Sequence, residues 1–316
     1  MRKRVRYLLA ILLAFGIHHA MAADDEPFVF MPQWTAQAQF AGYYVAEAKG
    51  FYREAGLKVK IVHPSSTQPS AKSLINNQCQ ATTLTLCEAM EMIDGGSPLV
   101  NILQTSMNNA MVIVSARGVD PLTQKGARVG IWNVGFGQLA ICMDKKEHLN
   151  YRWVPFAQNV NLVVAGALDA TLAMSYNEYY QLIQAGLEIS EQAVYRFSDH
   201  NYNVQEDGVY MTRAYYKKHP DRAKRFAQAS RKGWEWAAAH PEEALDIVMQ
   251  YVRRDKLETN RVMQRLMLKE ILRLQVDRES KKREFRLRPD MVRKASRLMV
   301  ECGLLKHEVT YEDLKE

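Results

Sequence analysis

Cysteine is scarce in this chain, with four among 316 residues: Cys79, Cys87, Cys142 and Cys302. No two stand as CxxC and no histidine lies at zinc-finger spacing, which excludes a disulfide scaffold and a structural zinc site. Cys79 and Cys87 leave two readings open, a bridge in an oxidising compartment or a pair of buried thiols. HExxH and Walker sequences are absent, and no Ser-His-Asp order supports nucleophilic catalysis. Beyond residue 22 no apolar run approaches the roughly 20 residues of a transmembrane helix. There is no internal repeat, which excludes a solenoid.

What is present begins with an export signal. Arg2, Lys3, Arg4 and Arg6 form a basic n-region, Tyr7 to Ile17 an apolar h-region, and Ala20-Met21-Ala22 a small-residue cleavage site before Ala23. Residues 1–22 therefore read as a signal peptide, and the mature chain as periplasmic. Removing those four cations lowers the formal charge from +7 to +3, which is no nucleic-acid footprint. The remaining basic stretch, Lys281-Lys282-Arg283 with Arg286 and Arg288, is interleaved with Glu279, Glu284 and Asp290 and reads as a solvated helix face.

Strand and helix patterns then alternate. Phe28-Val29-Phe30-Met31 reads as a strand ended by Pro32-Gln33-Trp34. Phe40, Tyr43, Tyr44, Ala48 and Phe51 recur at three- and four-residue steps, predicting a helix from about 40 to 55 with Gly56 after it. Leu57–Val62 alternates as a half-buried strand, and further strands are expected near 81–86, 99–104, 128–132, 151–156 and 170–174. This alternation predicts an α/β fold with mostly parallel sheets flanked by helices. After Met211 the chain turns helical, with Pro220 and Pro241 opening two helices.

The segment Gly166–Gly186 carries the most information. Its apolar strand Ala170–Met174 runs into Ser175-Tyr176-Asn177-Glu178-Tyr179-Tyr180, a cluster of hydrogen-bonding and aromatic groups instead of ordinary turn residues. Ligands of open α/β sheets sit beyond the carboxyl ends of such strands. A glycine-bearing turn, Asn133-Val134-Gly135-Phe136-Gly137, leads from another strand into a helix, where backbone N–H groups can cradle an anion.

Three segments together resemble one family, the periplasmic substrate-binding proteins of ABC importers related to thiamine-pyrimidine synthase, which include the SsuA-like proteins. They are Trp34 with Gln39-Phe40-Ala41-Gly42-Tyr43-Tyr44-Val45-Ala46 and Gly50-Phe51-Tyr52…Gly56-Leu57; Asp169-Ala170…Met174…Tyr176-Asn177-Glu178-Tyr179; and Glu206-Asp207-Gly208-Val209-Tyr210 with Gly233-Trp234-Glu235-Trp236-Ala237. The resemblance covers most of residues 28–250; nothing is carried over beyond about 255.

The resemblance implies a two-lobe, type II-like binding protein: residues 27–115 plus 212–316 as the first lobe with C-terminal helices, 116–211 as the second, and hinge crossings near Ser115–Gly118 and Asp207–Met211. It implies a monomer that hands a small ligand, such as a thiamine pyrimidine precursor, to an inner-membrane ABC permease, without cofactor or metal. A flat heteroaromatic calls for ring faces, a carboxylate for an exocyclic amine and an amide for a ring nitrogen. The expected ligand-binding residues are Trp34, Gln39, Tyr43, Tyr44, Asn109, Tyr176, Asn177, Glu178 and Glu206, with Asn133, Gly135, Phe136 and Gly137 as an anion turn. Gln104 and Thr105 are further candidates.

Two alternatives stay open. A synthase-like enzyme would need an active-site histidine and a nearby cysteine-rich run, and Asn76–Ala81 and Phe197–Tyr202 supply neither; His63, before Pro64, reads as a surface histidine. The same lobes could also report ligand to a membrane signalling protein.

Overall fold

The computed structural model describes residues 24–132, 135–156 and 160–316. The signal peptide expected over 1–22 lies outside them, as does Asn133. Two five-stranded sheets, each flanked by helices, form two lobes. Strands are β1 (Asp24–Met31), β2 (Leu57–Ile61), β3 (Ala81–Thr85), β4 (Leu99–Gln104), β5 (Met111–Ser115), β6 (Arg128–Trp132), β7 (Arg152–Phe156), β8 (Ala170–Met174), β9 (Val194–Arg196) and β10 (Asp207–Thr212). The first sheet has the order β2-β1-β3-β10-β4 and the second β7-β6-β8-β5-β9.

In each sheet one strand is reversed. β10 pairs antiparallel with both β3 and β4, and β5 antiparallel with both β8 and β9, while β1, β2 and β3, like β6, β7 and β8, pair in parallel. The reversed strand is the one that has just arrived from the opposite lobe. The expected mostly parallel sheets are therefore present, but the lobe boundaries differ from those expected. Met111–Ser115 belongs to the second sheet and Asp207–Thr212 is inserted in the first, so the crossings run over residues 105–110 and 197–206. Both strands are uniformly apolar in their interiors, and such composition does not say which sheet a strand joins; pairing partners decide that.

Burial follows position. β3, β4, β5 and β8 are buried on both faces. β2, at the sheet edge, keeps only its ends Leu57 and Ile61 buried. β4 is also last in its sheet, yet wholly buried, because helix Tyr311–Leu314 packs on it and the Phe285 carbonyl accepts from its Gln104 N–H at 3.4 Å, a covered edge instead of an open one.

The helix expected over 40–55 breaks in two, Ala41–Ala48 and Phe51–Glu54, with Gly50 at φ +78° between them. Ala41–Ala48 lies against helices Pro220–Ala239 and Pro241–Arg254, whose prolines occupy the first helical turn as the sequence predicts. The tightest approach is at two glycines. A Cβ on Gly42 would stand 2.2 Å from the Trp234 ring, and one on Gly233 would stand 2.1 Å from the Gly42 carbonyl oxygen. The C-terminal segment touches both lobes, with helix Pro289–Glu301 packing on Leu86–Asp94 of the first and Gln138–Lys146 of the second. Among the described residues no helix is long and apolar enough to cross a membrane.

Because the obstruction at Gly233 is backbone and cannot rotate away, Gly233→Ala should lower stability by roughly 1–3 kcal/mol, the usual cost of overpacking. The fall should appear as a lower urea midpoint with unchanged slope; an unaltered midpoint would mean that the two helices separate freely.

Candidate functional site between the lobes

Three strand ends converge across the lobe interface. β1 runs into Gln33 and Trp34, and Thr83 Oγ1 on β3 fixes this turn by accepting from the Gln33 N–H at 2.9 Å. From the second lobe come Trp132, last residue of β6, and the stretch after β8, where the Ser175 N–H donates to the Ala110 carbonyl at 2.8 Å. Together they enclose a narrow cavity of about 30 Å³, room for about one or two water molecules.

Trp34, Gln39, Tyr176, Asn177 and Glu178 line this cavity, as expected, and Phe136 of the proposed turn joins them. The Trp34 and Phe136 rings meet across the cleft edge to face, 5.9 Å apart at 67°. Gln33, Gln37, Trp132 and Met174 complete the wall and were not anticipated. Their sequence signal was faint but present: Gln33 precedes Trp34 directly, and Trp132 ends a strand at the same level as Met174.

The floor is an amide–carboxylate network. Asp207, the first residue of β10, accepts from Gln33 Nε2 at 3.0 Å and Gln39 Nε2 at 2.6 Å, and Gln37 Nε2 donates to Gln39 Oε1 at 2.6 Å. Gln33 Oε1 is buried and has no hydrogen-bond partner. On the facing wall Glu178 Oε2 accepts from the Met174 N–H at 2.9 Å and Oε1 from Asn177 Nδ2 at 3.1 Å, while Trp132 also bonds the carboxylate. Burial raises the Glu178 carboxyl above the usual range despite these donors. Glu178 is thus a well-satisfied wall group that fixes the β8 end, and Gln33 offers the free acceptor.

Several expected residues stand elsewhere. Tyr43 packs in the first-lobe core against Phe30 and Trp234, with ring centroids 4.6 and 5.6 Å away. Tyr44 stacks on Tyr251 at 3.9 Å. Both are fully buried, because helices cover their helix on the faces turned away from the cleft. Asn109 and Glu206 lie in the crossings. Glu206 accepts from the Ala110 N–H at 3.0 Å and Asn109 Nδ2 at 3.4 Å, and both residues border a smaller adjoining cavity of about 10 Å³. Gln104 Nε2 and Thr105 Oγ1 both donate to the Asp207 carbonyl, at 2.9 and 3.0 Å, and so hold the returning strand.

The described part of the expected anion turn, Gly135–Gly137, stands beside an acid. Gln138 Nε2 donates to the Gly135 carbonyl and to Glu91 Oε2 of the other lobe, both at 2.7 Å. A carboxylate at its mouth repels an anion. Gly137 is glycine for close packing, since a Cβ there would lie 2.3 Å from Ile131 Cδ1.

His63 is not a free surface histidine. Its Nδ1 lies 2.5 Å from the Trp34 carbonyl oxygen and its Nε2 2.8 Å from the Tyr44 hydroxyl. A carbonyl only accepts, so Nδ1 carries the proton and Nε2 accepts from Tyr44. Burial lowers its pKa to about 4, keeping it neutral while it pins the backbone that presents Trp34. A Cys79–Cys87 bridge is also ruled out. The five residues of β3 separate them, about 16 Å of strand, against the roughly 7 Å limit between Cα atoms.

With this geometry in view, comparisons place the chain. A family model described as NMT1/THI5 like matches residues 37–244. The chain belongs to the NMT1/THI5-like family. Its relatives include the formylaminopyrimidine-binding protein of Halalkalibacterium halodurans, 25% identical over 266 residues that cover 78% of each chain. The riboflavin-binding protein RibY of Chloroflexus aurantiacus is 23% identical, covering 69% of this chain and 64% of that one. In fold it is similar to the aliphatic sulphonate binding protein SsuA of Escherichia coli, with a TM-score of 0.66 at 11% identity and 92% of each chain covered. Both of these relatives are named as binding proteins, and the solved structure shares the two-lobe fold.

Acids gather on the first-lobe side of the pocket. Glu88, with one buried oxygen lacking a partner, has its pKa pushed up to about 8, chiefly by burial and then by Glu91 and Asp207. A carboxyl raised from 4.5 to about 8 on folding holds its proton longer in the native state, so its stabilising effect is complete at low pH and fades as pH rises through that window. Unfolding midpoints should therefore fall between pH 5 and 8.5, and Glu88→Gln should flatten that fall. An identical slope in wild type and variant would remove Glu88 as its source.

Proposed function

We propose that this chain is a periplasmic solute-binding protein of an ABC importer. It carries a small, uncharged, planar nitrogen heterocycle of the aminopyrimidine class to a membrane permease, without chemical turnover. The observation that carries the reading is the pocket wall itself: among the described residues it has ring edges from both lobes, four side-chain amides, one carboxylate and no lysine, arginine or histidine.

Such a wall discriminates by charge and shape. A sulfonate entering it would lose hydration and find no cation, a large desolvation penalty. A flat heterocycle would replace the Trp34–Phe136 edge contact with ring faces on both sides, each aromatic pair adding about 0.5–1.5 kcal/mol beyond area. Its N–H donors meet the unpartnered Gln33 Oε1 and the remaining lone pairs of Asp207 nearby. The name of the Halalkalibacterium relative supports the same class.

Trp34 and Trp132 both border the cavity, so ligand entry should quench or shift tryptophan fluorescence. Titration of the mature protein with an aminopyrimidine should give micromolar saturation, and an alkanesulfonate none. Trp34→Ala should weaken binding by about 2–4 kcal/mol, and Gln33→Met by about 1–2 kcal/mol, the loss of one buried acceptor. Saturation by the sulfonate with silence toward pyrimidines would overturn the assignment.

A further inference from the structure

Two of the four cysteines face each other far from the ligand pocket. Cys142 lies on helix Gln138–Lys146 of the second lobe, and Cys302 caps helix Pro289–Glu301 of the C-terminal segment. Both are buried. The Cys142 thiol donates to the Leu298 carbonyl at 3.5 Å, the Cys302 thiol to the Cys142 carbonyl at 3.7 Å, and the two side chains contact one another. The surrounding ties repeat the same junction: Lys145 Nζ donates to the Cys302 carbonyl at 2.6 Å, and Lys146 pairs with Glu301.

The rest of that segment grips the first lobe. Phe285 accepts from β4, and Arg213 next to β10 donates to the Asp313 carbonyl at 2.7 Å. A link at Cys142 would therefore close a path from one lobe to the other through helix Pro289–Glu301, opposite in kind to the soft crossings over 105–110 and 197–206.

We infer that Cys142 and Cys302 form a disulfide that fastens the C-terminal helix to the second lobe. The chemistry needs a disulfide oxidant, such as oxidised glutathione or a thiol–disulfide oxidoreductase. One thiolate attacks the oxidant's sulfur and expels one reduced thiol. The second cysteine then attacks the mixed disulfide and expels the other, so two electrons and both thiol protons end on the reduced oxidant. Burial holds the Cys142 thiol well above its ordinary range, and a protonated thiol is a poor nucleophile. The bond accordingly forms while the chain is folding and resists exchange once buried. Cys79 and Cys87, unable to reach one another, remain thiols.

The test uses the full chain equilibrated in a glutathione buffer, denatured, alkylated and digested without reductant. The expected result is a linked peptide pair containing Cys142 and Cys302, alkylation confined to Cys79 and Cys87, and a melting temperature that drops by about 5 °C or more on reduction. Amide exchange in helix Pro289–Glu301 should rise with that drop. Cys302→Ser should melt with no sensitivity to reductant; should it fail to fold, the wild-type peptide map and exchange data decide alone. Four alkylated cysteines or a different pairing would overturn the bond. A linked pair whose reduction leaves both melting and exchange unchanged would overturn its fastening role.

Discussion

The structure turns on one half-buried carboxylate. Asp207 is the first residue of the strand that re-enters the first sheet, and it clasps Gln33 and Gln39 from the turn that presents Trp34. Its backbone carbonyl accepts simultaneously from Gln104, Thr105 and the Thr105 and Ser106 N–H groups. One residue therefore joins both lobe crossings to the ligand-facing turn. The neighbouring Glu206, pointing the other way along the strand, bonds the outgoing crossing at Ala110. Burial raises both carboxyls, and the Asp207 charge raises Glu206 further.

Electrostatics then narrows what the cleft accepts. Among the described residues the pocket's own lining has no cation, and the acids around it (Glu88, Glu91, Glu178 and Asp207) are held at raised pKa by burial. Fold relatives that take sulfonates show that the same two-lobe frame serves anions elsewhere. Here the frame is shared, and function resides in sites and not folds. The histidine behind Trp34 works by position alone, neutral and doubly hydrogen-bonded.

The sequence disclosed the fold through period and punctuation: strand–helix alternation, prolines opening the long helices, and the odd polar cluster after β8 all correspond to observed elements. Trp34, Gln39, Tyr176, Asn177 and Glu178 were legible because they follow strand ends. Tyr43 and Tyr44 misled because a two-sided aromatic helix looks the same whether it faces a cleft or two other helices. β5 and β10 could not be assigned, since strand exchange between sheets is a long-range pairing with no local mark. Gln33 was passed over because one glutamine beside a tryptophan has no periodicity; only its unmatched oxygen reveals it.

The most direct measurement is a crystal structure of the mature chain grown with an aminopyrimidine. The account predicts the ring between Trp34 and Phe136, with an N–H directed at Gln33 Oε1 and the Asp207 clasp intact. A ring bound outside this cleft, or electron density for an anion on Gly135–Gly137 with the cleft empty, would contradict it.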